Sequence, residues 1–290
     1  MEEKRTLNEI LAIYALEPGL KDIFLEGPAD KNFIEWYLRA NGVRDVSVYP
    51  IDLIDIPNEI VTKHGFAPKS NRSRVLALAC ELGEYYSAGL PVLCLADRDY
   101  EDYRPSVRAN CYLVFTDCNS LDLYAFTQTT VDKFTTIALG GLPLPIADLI
   151  AILTSTLQRV YAIRLANELL EWGMEWIPFT NYVKVRKRIV SFDEDRFVQA
   201  YLLKNRRWQE RAQFKNKIKE TEGILSRDAG RKIRGHDLSD LLLLIIRNMR
   251  KDRKFGNSET LEGSLMASLE CRDLERSSFF QRILTISAPS

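Results

Sequence analysis

Residues 91–99 read Pro-Val-Leu-Cys-Leu-Ala-Asp-Arg-Asp (PVLCLADRD). An uncharged apolar run gives way abruptly to two carboxylates around an arginine. A continuous apolar run of this length suits a strand covered on both faces, as at the centre of a parallel sheet. The charge then falls at the strand's C-terminal end, where open α/β sheets present their chemistry. Residues two apart in an extended segment share a side, so Asp97 and Asp99 can serve one centre.

The flanking sequence supports a sheet. Residues 22–26 (DIFLE) are closed by Gly27-Pro28 and predict a buried strand ending in a turn. Asp30 is placed to cap the helix that follows, whose packing face is Phe33, Ile34, Trp36, Tyr37 and Leu38, and Asn41-Gly42 ends it. Residues 46–51 predict a second strand, 63–74 a polar basic loop, 75–86 a helix stopping at Gly89, and 112–115 a fourth strand, with 121–126 opening another helix. Strands alternating with helices imply βαβ units. From about Ile146 the periodicity turns helical, over 146–172, 193–222, 238–249 and 261–276. Gly140-Gly141, Pro143 and Pro145 mark a boundary before it. The expectation is an α/β domain at 1–140, with a mainly parallel sheet flanked by helices, followed by a mostly helical domain at 141–290.

Composition narrows the function. The 290 residues are 46% apolar and 28% charged, enough to build a large core, and the formal net charge is zero. Proteins that coat nucleic acid non-specifically are usually strongly basic, so that role is disfavoured. Cys80, Cys94, Cys111, Cys118 and Cys271 form no C-x-x-C pair, and His64 and His236 are the only histidines, which argues against structural zinc. The cysteine pattern and the acidic MEEKRTLNEI start are those expected of a cytoplasmic chain without a signal peptide. The apolar stretch 137–153 is interrupted by glycine, proline and Asp148, and no membrane span is expected.

The acidic residues carry the chemistry. Glu26 ends the first strand, Asp97 and Asp99 follow the strand PVLCLA, and Asp117 and Asp122 follow the strand YLVF. Carboxylates crowded at one edge repel, and a hard divalent cation with oxygen ligands offsets that repulsion. Mg²⁺ or Mn²⁺ held by Asp97 and Asp99 would polarise a phosphoryl oxygen and activate a bound water. Each residue also has a plainer role: strand-end Asp bonds its own backbone in turns, Asp117 suits a turn or cap, and Asp122 suits a helix N-terminus.

The combination of Glu26-Gly27 after the first strand, Asp30 behind it, and D-x-D at Asp97 and Asp99 resembles the Toprim pattern. Topoisomerases, primases and the nucleases of the overcoming-lysogenization-defect group share it. The match covers roughly residues 20–128. It implies that Glu26 acts in acid–base chemistry or metal binding and that Asp97 and Asp99 bind metal. Asp122, in SLDLY, resembles a further catalytic acid, with Asp where Glu is expected. Over nearly the whole chain, FLEGPADKNF, LADRDY, TDCNSLDLY and RGHDLSDLLLLI resemble the Toprim effectors of the PARIS anti-phage system, the AriB family. That resemblance implies a toxic nuclease cutting RNA, with tRNA the leading candidate, restrained by an ABC-type ATPase of the AriA kind. An active homodimer is the expected assembly.

Other segments suggest contacts. Residues 204–219 are basic and carry Trp208 and Phe214, a mix that suits phosphate contact and base stacking; Arg206, Arg207, Arg211 and Lys215 are the candidate nucleic-acid ligands. Phe197, Tyr201, Trp208 and Ala212 form one apolar stripe expected in the core. A second basic run spans 247–254, after the apolar stretch 241–246. Asp237 is placed as an N-cap, and His236 is either a proton donor or a structural histidine. Two rival functions remain at this stage: a phosphatase of the haloacid dehalogenase type, which also uses D-x-D but through a covalent aspartyl phosphate, and a non-catalytic partner-binding scaffold.

Overall fold

A computed structural model describes residues 4–68, 70–86, 89–108, 110–226, 232–250 and 254–287. The chain divides into two compact units, one formed by Met1–Asp117 with Cys271–Ser290 and the other by Cys118–Glu270.

The first unit opens with β1 (Arg5–Thr6) and α1 (Leu7–Leu16), where Thr6 and Glu9 form a reciprocal capping box. β2 (Asp22–Leu25), α2 (Pro28–Ala40), β3 (Ser47–Pro50) and β4 (Ile54–Asp55) follow. Then come α3 (Asn58–Lys63), α4 (Asn71–Tyr85), β5 (Val92–Ala96) and β6 (Leu113–Phe115). The main sheet is fully parallel, in the order β3-β2-β5-β6, and β1 pairs β4 in a small parallel ribbon. β5 is central and every one of its residues is buried, as its uninterrupted apolar run requires. Alternation divides the sheet's side chains between two faces. Phe24, Cys94 and Ala96 join the core built by Leu7, Ile10 and Tyr14 of α1 and Val75, Leu78 and Leu82 of α4. Ile23, Leu25, Leu93 and Leu95 are buried too. The α/β expectation, a parallel sheet flanked by helices, therefore holds.

Two local readings change. The loop expected over 63–74 is shorter at both ends: Lys63 closes α3, and α4 already begins at Asn71, capped by the Ser70 hydroxyl. Lys69 of that segment lies outside the described residues. Asp30 does not cap α2, whose N-cap is Gly27; it sits in the first turn, where its charge favours the helix dipole.

The chain's last described helix belongs to this first unit, not to a separate C-terminal body. α11 (Ser278–Leu284) places Phe280 4.6 Å from the Tyr37 ring and 6.0 Å from Phe33. Phe280 is fully buried, worth roughly 2–3 kcal/mol by area. Asp117 accepts hydrogen bonds from the hydroxyls of Ser277 and Ser278 and, at 3.2 Å, from the Phe279 amide. Asp117 is thus an anchor for this return segment. These contacts explain why the division falls at 117/118 and 270/271 rather than at 140/141.

The second unit contains α5 (Gln128–Lys133), α6 (Ile146–Leu169), β7 (Val183–Arg186), β8 (Ile189–Phe192), α7 (Glu194–Lys204), α8 (Arg211–Leu225), α9 (Gly235–Arg250) and α10 (Ser258–Met266). The Gly140-Gly141 pair, both at positive φ, is a turn inside this unit. Arg250 donates there to the carbonyls of Leu139 and Gly141. Arg247 donates to the carbonyls of Phe255 and Gly256, so these two members of the basic run tie down backbone. Residues 251–253 lie outside the described set. α6 is long and apolar enough to cross a membrane by length and composition. Its Leu149, Leu153, Leu157, Val160 and Ile163 are buried within the unit. Asp237 is not an N-cap: it sits inside the first turn of α9 and pairs with Arg164 of α6 through two bonds of 2.7 and 2.8 Å. The guanidinium lies 3.6 Å from the centre of the Trp176 ring.

Candidate functional site

From β2 the chain crosses through α2 to β3 on one side, while β5 lies on the other side of β2. The connections diverge at the β2–β5 pair, and a crevice outside the C-terminal strand ends is expected at such a point. Glu26 is the residue immediately after β2, and Asp97 immediately follows β5. The Asp97 amide donates to Glu26 Oε1 at 3.3 Å. Asn71, in the first turn of α4, donates its side-chain amide to the Glu26 carbonyl at 2.9 Å. Burial pushes the Glu26 carboxyl up to about 7. The Asp97 amide and Arg72 oppose that rise, and the charges of Asp99 and Asp30 add to it.

Asp99 has φ +45°, the left-handed region. A non-glycine residue there costs roughly 1 kcal/mol and persists only where its surroundings hold it. Arg72 is the visible holder. Its Nε lies 3.2 Å from Asp99 Oδ2, and its Nη2 donates to Glu101 Oε1 at 3.0 Å and to the Asp97 carbonyl at 3.1 Å. Glu101 is fixed in turn by the Ser106 amide at 2.8 Å. The first unit thus brings Glu26, Asp97 and Asp99 to one sheet edge, around a guanidinium that the sequence reading placed in a loop.

Asp122 belongs to the second unit, in the single turn Leu121–Ala125. Its carboxyl lies against the α carbon of Gly235: a side chain at 235 would place Cβ 1.7–1.9 Å from the carboxylate atoms. A side chain there requires the Asp122 carboxyl to shift. Burial pushes the Asp122 carboxyl up to about 6, with the Ser120 hydroxyl acting against the rise. His236 Nδ1 is 3.3 Å from Glu262 Oε2, and the Ser239 hydroxyl donates to the same oxygen at 3.1 Å. The bond to Glu262 pushes the exposed imidazole up to about 9. His236 is therefore an ion-paired surface histidine facing Glu262. Of this trio the sequence offered Asp122 as a candidate acid and His236 as a candidate proton donor; Glu262 left no signal. Gly235→Ala is expected to destabilise the second unit by about 1–3 kcal/mol through overpacking. Urea unfolding checks it, and a shift below about 0.5 kcal/mol would mean that Asp122 moves aside freely.

Acidic and histidine groups that could hold a metal ion are present. Among the described residues, one-atom donors converge within 4.8 Å in two groups: Asp122, His236 and Glu262, and His64, Glu81 and Glu84. In the second group Lys63 already sits 2.7 Å from Glu81 and 2.6 Å from Glu84, supplying positive charge. Glu26, Asp97 and Asp99 are in neither group. Their donor set is all carboxylate oxygen, which fits Mg²⁺ or Mn²⁺ in chemistry.

The basic segment is largely engaged. Lys215 pairs with Asp195 at 2.6 Å, Arg207 lies over Trp172 and pairs with Glu210 at 3.6 Å, and Arg211 lies over Trp208. Arg206 is exposed at the positive-φ break between α7 and α8. Phe214 is fully buried, so it offers no base-stacking face. Of the expected core stripe, Phe197 and Tyr201 are buried, while Trp208 and Ala212 are exposed, because the helix breaks at 205–207 and its register does not carry across.

No model of a known protein family matches the chain, and a search of curated proteins returns no match.

Proposed function

We propose that the chain is a metal-dependent phosphodiesterase of the Toprim type that cuts RNA, with tRNA as the leading substrate. The supporting observation is the juxtaposition of Glu26 with Asp97 and Asp99 on adjacent parallel strands, at the edge where the sheet's connections diverge. The Toprim resemblance points to the same three residues. Glu26, Asp97 and Asp99 would hold Mg²⁺ or Mn²⁺, which supplies Lewis-acid polarisation of the phosphate.

The chain's own contribution is proton handling and placement. A carboxyl near 7 exchanges a proton readily at neutral pH, the range in which a general acid or base works best. The Asp97 amide fixes one Glu26 oxygen, and Asn71 fixes the backbone beneath it. Asp99 is held by its ion pair with Arg72.

The resemblance to PARIS effectors adds an ABC-type ATPase that restrains the chain and a homodimer as the active form. Sequencing RNA from cells that express the chain alone, and with that ATPase, tests the whole reading. New tRNA ends are expected with the chain alone and not with the restraining partner. Purified protein should produce the same ends with Mg²⁺ or Mn²⁺ and none in excess chelator. Undiminished cutting in chelator removes the metal mechanism. Intact RNA in cells and in the metal-supplied reaction removes the nuclease.

A further inference from the structure

We propose that Arg72 is the internal counter-cation of the carboxylate site, competing with a divalent cation for the same oxygens. The inference rests on the reading of Glu26, Asp97 and Asp99 as metal ligands.

Arg72 is an odd residue for its position. It stands in the first turn of α4, where a helix's partial positive charge disfavours cations. Nothing in the helix rewards it: no acidic residue shares that turn. Its reason lies across the site. The guanidinium, 19% exposed, reaches Asp99, Glu101 and the Asp97 carbonyl and lies 5.6 Å from the centre of the Phe115 ring. Among the described residues, the groups it touches by hydrogen bond or ion pair all come from the short segment that carries D-x-D.

The quality of these contacts matters. Nη2 makes directed hydrogen bonds. Nε is buried yet makes no well-aligned hydrogen bond, although Asp99 Oδ2 is only 3.2 Å away. The Asp99 contact is therefore charge attraction without directional bonding. A divalent ion, with twice the charge and direct oxygen coordination, displaces such a contact. The neighbouring cation Arg98 does not duplicate the role, since it is committed to Asp102 at 3.0 Å and to the Thr116 carbonyl at 2.7 Å.

Two consequences follow. Without metal, Arg72 offsets the repulsion among the carboxylates and holds the left-handed turn at Asp99, so the chain folds with its site assembled. With metal, Arg72 must give up Asp99, because two cations sharing one carboxylate repel. Metal affinity is thereby held below what the carboxylates alone would give.

The test is an Mn²⁺ titration of the full chain by thermal shift, for wild type, Arg72→Gln, Arg72→Lys, Arg98→Gln and Glu26→Gln. Arg72→Gln is expected to melt lower in chelator and to bind Mn²⁺ about tenfold tighter, the order of effect of removing one nearby like charge. Arg72→Lys keeps the charge but loses the fork, so it should tighten Mn²⁺ by a smaller factor, and it decides the matter if the Gln variant does not fold. Arg98→Gln should leave the midpoint within about twofold, because its charge is already paired. Glu26→Gln should lose most of the Mn²⁺ response. If Glu26→Gln loses the response but the Arg72 variants bind no tighter than wild type, the Arg72 inference is overturned and the metal site stands. If wild type shows no Mn²⁺ response at all, the metal site itself fails and the inference with it.

Discussion

Glu26→Gln should abolish cleavage while making the metal-free protein more stable at alkaline pH. The loss expected is at least about 10³-fold, equivalent to roughly 4 kcal/mol of barrier. Glutamine keeps the length and one acceptor oxygen for the Asp97 amide, but it neither carries charge nor moves a proton. The stability effect follows from linkage. Burial raises the folded-state value of Glu26 from 4.5 to about 7, so between those two pH values the folded chain binds more protons than the unfolded chain. The ionised carboxylate is a liability that is absent below about 4.5, grows through the window up to about 7, and is complete above it. Glutamine has no such dependence. In chelator the variant should match wild type near pH 4.5 and exceed it at pH 8, by about 2–3 kcal/mol at most. Urea unfolding at the two pH values measures this. Cleavage at the wild-type rate would discard the site, and a variant less stable than wild type at pH 8 would show that Glu26 is ionised at little cost.

Strand ends were legible because two signals coincide there. Ile23–Leu25 and PVLCLA are short apolar runs that end in turn or charge, which suits strands covered on both faces, so β2 and β5 and the carboxylates after them could be read directly. The β7–β8 hairpin was not. VKVR and IVSF alternate as strands should, but the turn between them is Lys187-Arg188, with Lys187 at φ +55°. Hairpin turns of this kind normally announce themselves with Asn-Gly or Asp-Gly, and here basic residues replaced them. The same masking hid the first turn of α4. Asn71, Arg72 and Arg74 look like a solvated basic loop, yet all three reach inward: to the Glu26 carbonyl, to the D-x-D segment, and to Asp52 and the Ile54 carbonyl. Polar side chains that satisfy another segment's carbonyls have no periodicity to betray them. Asp122 and His236 were legible singly, but their meeting with Glu262 was not: the trio joins three distant segments of the chain, and spacing carries no information at that range.

Asp99→Gly should lose cleavage as completely as Glu26→Gln, by at least about 10³-fold at an Mn²⁺ concentration that saturates wild type, while the metal-free fold changes little in stability. Asp99 occupies the left-handed region at φ +45°, which glycine adopts freely. Removing the side chain relieves roughly 1 kcal/mol of backbone cost. Against that gain stands the loss of the Arg72 ion pair at 3.2 Å, a contact without directional hydrogen bonding. Added backbone freedom in the unfolded chain offsets a further part, and the net change in chelator should lie within about 1 kcal/mol of zero. The metal response should separate cleanly from this. With one carboxylate missing from the set, Mn²⁺ should no longer raise the melting temperature as it does in wild type. Asp99→Asn sharpens the reading, since it tolerates the same backbone region but removes the charge: it should behave like glycine for cleavage and metal response. Loss of the fold in Asp99→Gly would mean that the Arg72 pair contributes far more than the backbone cost that glycine relieves. Retained cleavage in both variants would take Asp99 out of the site and leave Asp97 as the working member of the pair.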